Sequence, residues 1–145
     1  MRGHLSYAVI IVVLLIGGAS AARDDEVTFK VIVNPKNPIA SIDRDLLRNV
    51  FLKKESVWKN GETMRPIDLS PKSSVHDKFT RVVLKKTPAQ LKTYWAQQIF
   101  SGKGVPPPEA KTPADVIAYV LANPGAVGYV PADVDVRSAR VVEVK

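Results

Sequence analysis

The sequence predicts an α/β domain in which helices pack on a small sheet, and three observations carry that prediction. Residues 27–33, VTFKVIV, place Val27, Phe29, Val31 and Val33 at a spacing of two, as in a strand with one filled face. Four later stretches repeat apolar residues at helical spacing, each behind a residue able to start a helix. Strand-like and helix-like stretches then alternate along the chain, the order that layered α/β architectures produce. The patterns leave the order of the strands open.

Ahead of the first strand stands MRGHLSYAVIIVVLLIGGASAARDDE. Arg2, the uncharged run Ala8 to Ile16 and the small residues Ala19 to Ala22 have the three-part form of a secretory signal, with cleavage expected after Ala21 or Ala22. A retained membrane anchor is the competing reading, but the run falls short of the roughly 20 apolar residues that cross a bilayer. Residues 1–22 are therefore read as a cleaved signal peptide and 23–145 as one exported domain, periplasmic or secreted, with no stable membrane insertion after cleavage. The chain has no cysteine, so it has neither a lipid attachment site after the signal nor disulfides, and 123 residues must rely on their core. Discounting Arg2, twenty basic residues face fourteen acidic ones, a net charge of +6 that favours anionic partners. The basic residues are scattered, with no arginine-rich arm and no aromatic RNA-binding signature, which argues against nucleic acid.

After the first strand, NPKNPIAS breaks the pattern with two prolines, and Ser41 is the expected cap of a helix striped by Leu46, Leu47, Val50 and Phe51. A polar connector turning at Asn60-Gly61 leads to RPIDL, residues 65–69, a strand only if Pro66 lies at an end or edge. From Ser74, the residues Val75, Phe79, Val82 and Val83 repeat at helical spacing. Thr87-Pro88-Ala89-Gln90 has the form of a capping box with proline at the first position, opening a helix striped by Leu91, Tyr94, Trp95 and Ile99. SGKGVPPPEAK reads as a stiff loop. Thr112-Pro113 opens a helix striped by Val116, Ile117, Val120 and Leu121, which Asn123-Pro124-Gly125 ends. GAVGYVP and ARVVEV supply two further strands.

Three segments in register carry a family resemblance. LLRNVFLKKESVW, with Phe51 and Trp58, resembles the "iFlGk…W" segment of the periplasmic phosphate-binding proteins of ABC transporters. IDLSPKSSVHDKFT resembles their segment with a Ser-Gly-Thr phosphate loop at a helix start, followed by a Phe at the place of Phe79. NPGAVGYVP is similar to their "pGaIGYv" segment. The resemblance spans residues 31–131 and implies a single lobe of a type II periplasmic binding protein: a small mixed sheet flanked by helices, with ligand held by helix amino ends and loops. It further implies phosphate or a similar oxyanion as ligand, and an ABC permease or a second chain completing the cleft as partners. No cofactor is implied.

Within SPKSSVHDKF, a helix amino end offers unpaired N–H groups and partial positive charge, serines add short donors and Lys72 adds charge. The resemblance sets Ser73 at the family's Ser, Ser74 at its Gly and Val75 at its Thr, so Lys72, Ser73, Ser74 and Val75 form the expected ligand-binding set. Two departures stand against it. Val75 brings no hydroxyl, and Leu69 occupies the place of the family's phosphate-clamping arginine, a loss worth about 1.5–3 kcal/mol, or ten- to a hundredfold in affinity. Ser74-Val75-His76-Asp77 also has capping-box spacing, so an equally direct reading is a structural cap whose Asp77 consumes the same N–H groups and repels an anion. Ser74, His76 and Asp77 share one helical turn and cannot converge on a substrate as a hydrolase triad does. His76 is the one histidine outside the signal, which leaves no metal-ligand cluster. Two functions follow: a non-enzymatic oxyanion-binding protein, or an interaction or structural module that kept the fold and lost the ligand.

Overall fold

A computed structural model describes residues 27–145; the expected signal peptide lies outside the described residues. Val31, Ile32 and Val33 are all buried, so β1 (Phe29–Val33) is covered on both faces and sits mid-sheet. It pairs antiparallel with β6 (Ala126–Pro131) and with β7 (Arg140–Val144). Two short parallel edges complete a mixed five-stranded sheet: β2 (Ser41–Ile42) on β7 and β3 (Arg65–Pro66) on β6, in the order β2-β7-β1-β6-β3. β4 (Asp68–Leu69) and β5 (Glu109–Ala110) form a separate parallel pair. Four helices flank the strands: α1 (Arg44–Phe51), α2 (Ser74–Val82), α3 (Pro88–Phe100) and α4 (Pro113–Ala122).

RPIDL is thus one extended run shared between two partners. Arg65 and Ile67 donate N–H to Gly125 O and Val127 O on one side, while Asp68 and Ser70 donate to Pro108 O and Ala110 O on the other, each at 2.9 Å. Pro66 falls on the second side just before β5 begins, where no donor is needed. β5 itself lies inside the proline-rich stretch expected to be loop, because two residues of pairing leave no periodic trace.

The helix starts follow their capping chemistry, with the caps of α1 and α2 shifted from the expected residues. Thr87 Oγ1 accepts from Gln90 N at 3.2 Å while Gln90 Oε1 accepts from Thr87 N at 2.9 Å, the full reciprocal box. Thr112 caps α4 through Asp115 N. Ser41, however, is paired to Glu143 in β2, and the cap of α1 is Asp43, whose Oδ1 accepts from Asp45 N and Leu46 N.

The core centres on an aromatic cluster that ties α2 to the sheet. Phe79 stacks face to face on Tyr129 of β6 at 3.8 Å, and the rings of Phe51 and Phe29 meet it edge-on at 4.8 and 5.4 Å. Trp58 is buried, donating Nε1–H to Gly125 O at 2.9 Å. Two glycines serve close approach: a Cβ on Gly125 would meet Thr63 O at 1.8 Å, and one on Gly128 would meet Val116 Cγ1 at 2.7 Å.

Candidate functional site

The amino end of α2 is built by a tightly bonded loop. Ser73 N–H donates to Ser70 O at 2.9 Å and Lys72 N–H to Ser70 Oγ at 3.3 Å, which turns the chain so that Ser73 remains extended at φ −80°, ψ 133°. Ser73 is therefore the cap, its Oγ accepting from Val75 N at 3.2 Å. The capping box from Ser74 to Asp77 does not form. Asp77 instead turns along the helix to Arg81, whose Nε donates to its two carboxylate oxygens at 3.1 and 3.0 Å. Among the described residues the Ser74 N–H has no partner.

The four expected residues meet at this helix end but face two adjoining depressions. Lys72 and Ser73 line one of about 680 Å³ with Ser70, Glu109, Ala110 and Lys111. Ser74 and Val75 border another that includes Thr28 and Asp133. Lys72 and Ser74 are exposed, whereas the Val75 side chain is buried, so Val75 offers only an amide, already given to Ser73. Leu69 is 1 % exposed and belongs to the core. Lys111 was missed by sequence reading, since its approach depends on the β4–β5 pairing; the only signal was a lysine just before the Thr112 cap.

Behind this end lies a polar network equally invisible in sequence. Asp68 Oδ1 accepts from the hydroxyl of Tyr129 and from Leu69 N, and its Oδ2 faces His76 Nε2 at 3.5 Å. The side chains of His76 and Asp68 are only 6 % and 14 % exposed. Burial by itself pushes the His76 pKa down, but the hydrogen bond and charge of Asp68, with Glu109 and Asp77 beyond, outweigh it and hold the imidazole above its ordinary value. Burial, reinforced by Asp68, pushes the Tyr129 hydroxyl far up, so it stays a donor.

Solved structures share this arrangement of elements. One from Clostridium perfringens, described as a phosphate ABC transporter substrate-binding protein with bound phosphate, matches at TM-score 0.63 and 19% identity over 80% of this chain and 44% of that one. PstS from Borrelia burgdorferi matches at TM-score 0.63 and 14% identity, over 81% and 47%. This chain has the fold of a lobe of a periplasmic phosphate-binding protein. A phosphate transport receptor of the ABC type from Vibrio cholerae matches at TM-score 0.55 and 16% identity, over 80% and 45%. The chain spans less than half the length of each of these structures. No protein-family model and no curated protein matches the sequence.

Within the lobe, Phe51, Trp58 and Phe79, three residues on which the resemblance rests, are core residues that position the α2 end rather than line it. His76 is directed to Asp68 and Ser74 to solvent, so the residue types of a triad on this turn do not face one another. The chemistry the geometry offers is hydrogen-bond donation and positive charge at an open helix end. Among the described residues no helix is long and apolar enough to cross a membrane.

Proposed function

We propose that this chain is an exported, non-enzymatic solute-binding-like protein whose α2 amino end holds phosphate or a related oxyanion. Lys72 and the hydroxyl of Ser73 contact the anion together with the amide of Ser74, and Lys111 adds a second charge. The observation that carries this reading is the pairing of Asp77 with Arg81, which leaves the Ser74 N–H without a partner at a positively polarised helix end. An open lobe leaves the anion hydrated, which weakens each contact. Tight capture therefore requires a second chain closing the cleft or an ABC permease receiving the lobe, in keeping with solved structures of which this chain covers less than half.

A second reading is favoured by the Ser73 Oγ bond to Val75 N and by Leu69 in the core, both of which remove contacts from an anion site. On that reading the lobe is a periplasmic interaction module that no longer binds ligand. Isothermal titration with phosphate and with sulfate decides between them. Heat that is lost in both Ser73→Ala and Lys72→Ala supports the site; Lys72 is exposed, so its replacement leaves the fold intact. Silence at millimolar phosphate, with no movement of the Ser74 amide resonance, overturns it.

A further inference from the structure

We propose that a second copy of this chain docks on the exposed face of α3, with Phe100 of each copy entering an apolar pocket of the other. Six large hydrophobic residues are exposed among the described residues, and three of them, Ile99, Phe100 and Val105, gather at the end of α3 and in the loop after it. Phe100 is 95 % exposed. Directly beyond it the chain turns back, with Gly102 at φ 69° and Lys103 donating its N–H to Gln98 O at 2.9 Å, so the ring is left at the tip of the helix. Apolar surface collected in one place marks an interface.

Beside that projecting ring lies a pocket of about 550 Å³, walled by Pro71, Leu91, Trp95, Ile99 and Pro106. One face therefore carries both a knob and a hole. A two-fold pair uses the same patch on both copies, so each knob can fill the other copy's hole.

The layout of α3 fits that symmetry. Lys92, Ala96 and Phe100 are exposed, and their spacing of four sets them in one row along the helix. When two antiparallel α3 helices cross at Ala96, Phe100 of one copy comes opposite Lys92 of the other, because each lies about 6 Å along the helix from the crossing point. Alanine there admits close approach.

The charges match as well. Lys92 and Glu109 line the pocket, and among the described residues neither they nor Lys103 has an ion pair within its own chain. A second copy brings its Phe100 ring to the Lys92 ammonium and its Lys103 toward the Glu109 carboxylate. Asp68 and His76, which also line the pocket, already face each other. Two Phe100 side chains alone would bury about 300–500 Å², a large share of the roughly 1,200 Å² at which stable pairs begin. The pairing uses none of the anion contacts proposed above, so it stands whether or not phosphate binds.

Sedimentation equilibrium of residues 23–145 in phosphate-free buffer, from micromolar to millimolar protein, tests it. A monomer and dimer in equilibrium are expected. Phe100→Ser, at a site whose replacement should leave the melting temperature unchanged, should weaken pairing roughly thirtyfold or more. Glu109→Lys and Lys103→Glu should each weaken it several-fold, and the two together in one chain should restore it, because the charges only exchange places. A chain that stays monomeric throughout, a Phe100→Ser variant that pairs as well as the unaltered protein, or a double variant that does not regain pairing overturns the proposal.

Discussion

A single rotamer at Asp77 separates an available helix end from a closed one. Its carboxylate pairs with Arg81 four residues on, which keeps negative charge near the first turn without occupying the Ser74 N–H. Replacing Asp77 with Ala should leave the Ser73 cap intact and raise phosphate affinity several-fold, read as a lower titration midpoint at low ionic strength. Ser73→Ala should cost about 1 kcal/mol in chemical denaturation, the usual worth of a cap. His76 makes stability depend on pH. Its folded pKa is raised, so its contribution is complete below the unfolded value of 6.5 and is lost as pH rises through the folded value. Melting temperature should therefore fall across that window, and His76→Gln should flatten the dependence. The serines and lysine at the start of α2 were legible in sequence, but the cap was read one residue late, at Ser74 where the structure has Ser73. The partners Asp68, Tyr129 and Lys111 were not legible, because local spacing carries no information about residues brought together from distant stretches.

At the scale of elements, legibility followed length and chemistry. α3 was readable from Thr87 and Gln90 because their reciprocal bonds are local, and Thr87→Ala should lower stability by about 1 kcal/mol in urea unfolding. The four helices and strands β1, β6 and β7 were legible from their apolar periodicity, whereas β2 and β5 are too short to show one. The misplaced cap of α1 has the same origin: Ser41 has capping chemistry, but strand pairing with Glu143 claims it and Asp43 takes the role. Gly128 lets α4 and Ile67 come close to β6. Its Cβ would press between Val116 and Ile67 at 2.7 and 2.8 Å, so Gly128→Ala should destabilise by about 1–3 kcal/mol, visible as a lower denaturation midpoint with unchanged slope.

For the whole molecule, the fold was legible from three segments whose shared register mattered more than any one of them. What remained hidden was the sheet order, since nothing in the patterns of β1, β6 and β7 says which neighbours which. The finished sheet places β1 between β6 and β7, so residues near 30 are bonded to residues near 130 and 141. A fragment ending before Ala126 therefore has a first strand with neither neighbour and should show no cooperative unfolding by circular dichroism. Contacts this far apart along the chain also slow folding, because the intervening loop must close before any of them forms. A ribosome or translocation channel delivering this chain from its amino end would release almost all of it before a native sheet could assemble. The polypeptide is thereby kept pliable for as long as its last strands are withheld.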